Sequence, residues 1–195
     1  MIDIKFDLRD FERASRQIGG AADQVPFALA GALNTALFNT RKKLVTETWP
    51  KSVTVRNRSF LSAALRVETA TKGKLEGAIF DSMGRAHLGL HARGGTKRPA
   101  RGMLAIPTAR VRRTARGVAA NQKPSMLKRS VRKGNLIFQE TGRGKAKRLE
   151  LMYKLAPMAR IKKDVPFVED FRRSMLAEVR VAFPAAMAKA MRTRR

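Results

Sequence analysis

A run of apolar residues at three- and four-residue steps constrains this chain more than any other feature. Val25, Leu29, Leu33, Ala36, Leu37, Thr40 and Leu44 fall on one face at 3.6 residues per turn, so residues 23–49 read as one long amphipathic helix. Asp23 suits its N-cap, and Pro26 sits in the first turn, where a missing N–H is tolerated. Pro50 is expected to stop the helix, because it biases Trp49 away from helical dihedrals. Arg41, Lys42 and Lys43 load its C-terminal half with positive charge, which the helix dipole favours. Such a stripe must be buried against something. Phe167, Phe171, Met175, Val179, Phe183, Met187 and Met191 supply one partner, a second long helix opened by Asp164 and Pro166 and thickened by Ala182, Ala186 and Ala190. Pro184 lies inside it and should kink or split it, since an interior proline costs roughly 3 kcal/mol. Glu169 and Asp170 fit the first turn, where negative charge is favoured.

Strand patterns supply the other partner. Ile2, Ile4, Phe6 and Leu8 alternate with polar residues and predict a half-buried strand, followed by a short helix over residues 10–18 that ends at Gly19 and Gly20. After Val53 and Val55, Asn57 or Ser59 is placed to cap a brief helix reaching Leu65. Residues 66–70 and 74–80 flank Thr71-Lys72-Gly73 as a hairpin, with Val67, Leu75 and Ile79 directed inward. Met103 to Ile106 is an apolar island ending at Pro107. A second hairpin joins Leu136, Ile137 and Phe138 to the alternating Leu149, Leu151 and Tyr153 through a turn at Gly142-Arg143-Gly144. The expected fold is therefore α+β: a small, mostly antiparallel sheet packed against two long helices.

Charge interrupts this body. From Ser82 to Gln139 there is no acidic residue and there are fourteen lysines and arginines, amid many glycines and prolines. The reading is one α+β domain over residues 1–195, with residues 82–133 a long basic loop excursion that orders only on assembly. The whole chain holds 42 Lys and Arg against 15 Asp and Glu, a net charge of +27. So large an excess repels itself and attracts polyanions or acidic surfaces. Cysteine is absent, so disulfides and thiolate metal sites are excluded. Neither a signal peptide nor a membrane-length apolar run is read, and residence in a cytoplasm, with no membrane partner, is the default.

Catalytic chemistry finds little support. His87 and His91 are the only histidines, and the glycines around them argue against the helix that would bring them together. On a strand they would stand about 13 Å apart, too far for one ion. Gly142-Arg143-Gly144-Lys145 lacks the spacing and the following Ser or Thr of a phosphate loop. The carboxylates are scattered, where a two-metal nuclease needs them clustered. No catalytic residue, metal site or cofactor is read, and the chain is expected not to be an enzyme. The strong signal is the basic span. Arg110, Arg112, Arg113, Arg116, Lys128, Arg129, Arg132 and Lys133 suit phosphate or acidic-partner contacts that do not read sequence. No Phe, Tyr or Trp occurs from Asp81 to Gln122 for base stacking, which disfavours a single-strand platform. Phe171, Met175, Phe183 and Met187 are candidates for a subunit interface, with core packing as the competing use.

The order of parts carries a resemblance. The helical run from Val25-Pro26-Phe27-Ala28 to Ala32-Leu33-Asn34 is followed by Arg56-Asn57-Arg58-Ser59-Phe60-Leu61. An arginine-rich middle then leads to Ala105-Ile106-Pro107, a hairpin, Val165-Pro166-Phe167 and a basic terminal helix. Over most of its length the chain resembles the minor tail protein Z family of tailed phages, the lambda-type tail completion proteins. The resemblance implies a structural virion protein of the tail or neck, assembled in the host cytoplasm as a ring, six-fold as first guess. Its implied neighbours are tail tube, tail terminator or neck proteins, with genomic double-stranded DNA in the channel. Six copies would carry about 160 excess positive charges and need an anionic neighbour. The alternative expectation is a sequence-nonspecific nucleic-acid-binding protein acting outside the virion.

Overall fold

The computed structural model describes residues 3–7 by their backbone and residues 24–84 and 87–193 in full. The chain is α+β with antiparallel sheets, and it divides into two compact units: unit 1 is Met1–Arg93 with Lys163–Arg195, and unit 2 is Gly94–Lys162. The expected division, one body with an open excursion over 82–133, differs from this. The basic span contains paired strands, and the hairpin assigned to the body belongs to the same unit as the span.

Unit 1 contains a three-stranded sheet in the order β1-β3-β2, formed by β1 (Asp3–Asp7), β2 (Leu65–Glu68) and β3 (Glu76–Asp81). Both pairings are antiparallel, with Ile4 opposite Ile79 and Val67 opposite Ile79. The hairpin turns at Thr71 and Lys74, which bond to each other across it. Helix α1 (Val25–Lys43) lies on this sheet at Gly77, where a Cβ would stand 2.3 Å from Leu37 Cδ1; glycine is what lets the helix come so close. Helix α5 (Phe167–Arg192) packs antiparallel to α1. Leu29, Leu33, Leu37 and Leu44 meet Phe167, Phe171, Met175 and Val179 in one core, joined by Leu61, Leu65, Ile79 and Leu88. Phe171 and Met175 have no exposed surface, which removes them from the subunit-interface candidates; Phe183 and Met187 are partly buried at the core's margin.

Polar rungs set the register of the two helices. Buried Thr40 donates its hydroxyl to Ser174 Oγ at 2.9 Å, Thr48 donates to Asp170 Oδ2 at 2.7 Å, and Asn39 Nδ2 donates to Glu178 Oε2 at 2.7 Å. Asn34 fastens α1 to the hairpin: its Nδ2 donates to Ala70 O at 3.0 Å and its Oδ1 accepts from Ala70 N at 2.7 Å. Arg41 donates to the carbonyls of Leu65 and Ser62, so its role is to hold the strand entry, beyond any effect on the dipole.

Several boundaries depart from expectation. Pro50 does not stop the first helix. A π-helical turn, Leu44–Thr48, follows α1 and leads into α2 (Trp49–Ser52), with the Trp49 N–H bonded to Leu44 O. The wider turn shifts the bonding register just before the proline, which has no N–H to contribute. Pro184 does not split α5, which runs through it as 26 residues. The brief helix α3 (Phe60–Ala64) starts after Ser59, but the Asn57 side chain accepts from Ser59 N and no side chain caps the helix. Gln24 holds the N-cap position of α1. Asp23, the helix expected over residues 10–18, Arg85 and the last two arginines lie outside the described residues.

Unit 2 is built on a four-stranded antiparallel sheet in the order β5-β10-β9-β8. Its strands are β5 (Leu104–Pro107), β8 (Ser130–Lys133), β9 (Leu136–Thr141) and β10 (Arg148–Ala156). Two ribbons accompany it: β4 (Gly95–Lys97) pairs with β11 (Ala159–Ile161), and β6 (Arg113–Thr114) with β7 (Gly117–Val118). The turn between β9 and β10 requires Gly142. Its φ is +85°, and a Cβ there would lie 2.2 Å from Ala146 O. A bulge in β10 between Leu151 and Tyr153 turns Met152 and Tyr153 to the same side, where they form a small core with Val111 and Leu127.

Candidate functional site

The sheet and turns of unit 2 position every one of the eight cations singled out above. Arg110 and Arg112 lie between β5 and β6, Arg113 on β6, and Arg116 in the turn before β7. Lys128 and Arg129 lead into β8, and Arg132 and Lys133 sit on it. All eight are exposed. The expected open loop is replaced by short paired strands because backbone bonds are closed locally. Ala119 N donates to Arg112 O, Glu140 N donates to Arg129 O, and Gln122 Oε1 accepts from Arg112 N. Tyr153 anchors the segment from below, donating its hydroxyl to Gln122 O at 2.6 Å. Burial raises the Tyr153 phenol above its ordinary pKa of 10.0, with nearby Arg113 opposing the shift.

Two of the cations are steered by the backbone. Arg113 Nη2 donates to Pro107 O at 3.2 Å and Arg132 Nε to Gly134 O at 3.0 Å, which leaves most of each guanidinium fork facing water. Arg129 holds a left-handed conformation, φ +52°, at the entrance to β8. All four residues of β8 are exposed, on the free edge of the sheet.

Seven further cations of the unit follow position 133: Arg143, Lys145, Lys147, Arg148, Lys154, Arg160 and Lys162. The composition held a signal for them, because the acid-poor stretch runs on past Gln139. Unit 2 has nineteen lysines and arginines and only two carboxylates, a net +17 of the chain's +27. Both carboxylates are already engaged by near neighbours: Glu140 by Lys147 at 3.1 Å and Glu150 by Arg148 at 3.0 Å. Neutralisation of the remainder has to come from outside the unit.

Unit 1 carries the features that most resemble a reaction site. His91, on α4 (Leu88–Arg93), places Nδ1 2.8 Å from Asp164 Oδ1 and 3.0 Å from Oδ2, while Trp49 meets its ring edge-on at 6.0 Å and stacks on Phe167 at 5.9 Å. The expectation that His91 lies off a helix is thus corrected, and so is the placing of Asp164 as the opener of α5. The backbone N–H groups of both Asp164 and Val165 bond to His91 O, so the pair ties the entry of α5 to α4. Lys163, bonded to the Glu169 carboxylate, holds that group below the usual carboxylate range. An open cleft of about 870 Å³ runs past Val45, Trp49, Pro50, Val53, Arg58 and Leu61. Among the described residues no three His, Cys, Asp or Glu side chains are grouped to hold a metal ion, and no helix is long and apolar enough to cross a membrane.

No family model matches the chain, and no curated protein and no solved structure is detectably similar to it.

Proposed function

We propose that this chain is a structural, non-enzymatic subunit of a long-tailed phage virion. In this reading it is a tail completion or head-proximal ring protein that helps join tail to head. Helices α1 and α5 give the subunit its frame, and the basic strands and turns over residues 82–133 meet DNA or acidic tube, terminator or neck proteins. The observation that carries the reading is the charge of unit 2: a net +17 with both carboxylates already engaged. A ring of such subunits around packaged DNA would supply the missing anions. The resemblance of its order of sequence elements to the minor tail protein Z family supports the same reading.

Quantitative mass spectrometry of gradient-purified particles from the source encoding this chain tests it. A small ring-like copy number per particle is the expected result, and complete absence from mature particles overturns it. A charge-reversal series at Arg112, Arg113, Arg116, Lys128, Arg129 and Arg132 should abolish infectious joining and leave the fold intact.

The exposed cations of β8 favour one alternative, a sequence-nonspecific nucleic-acid-binding protein acting outside the virion. It requires tight duplex binding by the free chain, with affinity falling steeply as salt rises.

A further inference from the structure

The two faces of the four-stranded sheet in unit 2 differ from the usual pattern. An antiparallel sheet covered on one side ordinarily turns polar residues to the other. Here the inner face carries Met152, Tyr153, Ile137 and Ala105, which pack with Val111 and Leu127. Alternation along the strands and the bulge at Met152 then fix the residues of the opposite face. Leu151 stands beside Phe138, and Phe138 beside Val131; Leu149 lies opposite Glu140; Ile106, Lys154, Leu136 and Lys133 form a row across all four strands. Ile106 is 40% exposed, Val131 39% and Leu149 43%, and Leu136, Phe138 and Leu151 are half-buried. An apolar field of this kind, interrupted by exposed Lys154 on β10 and edged by exposed Lys133 on β8, is the signature of an interaction surface.

We infer that this outer sheet face docks a protein partner whose apolar ridge is flanked by aspartates and glutamates. Charge selects that occupant. Glu140 is the one carboxylate this face presents, and Lys147 already holds it. A second copy of the chain would bring another +17 unit against Lys133 and Lys154. Nucleic acid would satisfy the lysines but leave the aliphatic field uncovered, with Phe138 as its single aromatic platform. Carboxylates around an apolar ridge satisfy both demands at once. The inference goes beyond the virion reading and stands without it, because it concerns what this face binds and not where the protein resides.

The test uses the full chain with isotope-labelled methyl groups and three probes. They are a synthetic amphipathic helical peptide with leucines on one face and glutamates beside them, its lysine-for-glutamate counterpart, and a mixed-sequence DNA duplex. The acidic peptide should move the methyl signals of Ile106, Val131 and Leu149, and should bind about tenfold or more tightly than the lysine peptide. Leu149→Asp should weaken it by a similar factor. Lys154→Glu, at an exposed site where folding is not at risk, should do so as well. Four outcomes overturn the inference: methyl shifts that fall elsewhere, equal binding of the two peptides, displacement of these methyls by the duplex, or concentration-dependent shifts of the same methyls with no probe present, which would make the occupant a second copy.

Discussion

Unit 1 and unit 2 solve the stability problem with different resources. Among the described residues, unit 1 gathers nineteen buried apolar side chains into one cluster, with thirteen carboxylates in its sequence to balance twenty-three cations. Unit 2 gathers four, Val111, Leu127, Met152 and Tyr153, and sets nineteen cations against two carboxylates. Apolar burial stabilises in proportion to area removed from water, at roughly 25 cal/mol per Å². A unit with so small a core and so much like charge sits close to the limit at which a chain of its length holds together alone. Unit 1 is held by its apolar core, whereas unit 2 carries a net +17 on a core of four buried side chains.

The contrast can be broken most forcefully in the larger core. Phe171→Ala removes a side chain with no exposed surface at the α1–α5 contact and should destabilise unit 1 by about 3–5 kcal/mol. Chemical denaturation followed by amide exchange, residue by residue, would show whether the loss falls on unit 1, as expected, or on both units equally. Asn34→Ala removes both hydrogen bonds to the Ala70 backbone and should cost about 2 kcal/mol, visible as faster exchange across the β2–β3 hairpin. If exchange there stays unchanged, the hairpin is held by its strand pairing and by the packing of Leu65, Val67, Leu75 and Ile79.

Tyr153→Phe sharpens the comparison from the other side. It deletes the hydroxyl that donates to Gln122 O and should destabilise unit 2 by about 1–2 kcal/mol. The wild-type residue also predicts an alkaline weakness. Its pKa is raised in the folded state, so the unfolded chain gives up this proton first, near pH 10. The stabilisation is fully present below that pH and is lost as pH rises toward the folded value. Unit 2 should therefore weaken above pH 10 in the wild type, and the phenylalanine variant should lack that component. The smallest expected change in stability comes from the double reversal Arg132→Glu with Lys133→Glu on β8. It should move stability by less than about 0.5 kcal/mol, or raise it slightly at low salt by easing repulsion, while reducing the salt dependence of any duplex binding. A large loss would mean that the β8 cations support the fold itself.

Much of unit 1 was legible in the residues. The stripe from Val25 to Leu44 lies buried, as do its counterparts Phe167, Phe171, Met175 and Val179, because a 3.6-residue period in apolar side chains has only one economical burial. Turn residues located the first hairpin and alternation the second, although the bulge at Met152 puts Tyr153 on the face opposite Leu149 and Leu151. What escaped were features with no periodic signature. Asn34 and Ala70 meet across 36 residues, and nothing local marks either as the other's partner. Pro50 reads as a stop unless the π turn ahead of it is known, and Leu44–Thr48 gives no warning of one. The division into units was hidden because glycine, proline and charge in the span over 82–133 look the same in a loop as in short strands closed by backbone bonds. The site cations were identifiable as a class, but their link to Arg143, Lys147 and Lys154 emerged only once β9 and β10 were seen to share their unit.

The chain contains one tryptophan and one tyrosine, and they fall on opposite sides of this division. Trp49 is held between Phe167 and His91 in unit 1, and Tyr153 is buried beneath the basic segment of unit 2. The protein is thus already labelled at two colours. Light absorbed by indole alone watches the helical core, and phenol emission watches the charged sheet, so the order in which the two units melt, or grip an added anion, can be read from an unmodified sample in a cuvette.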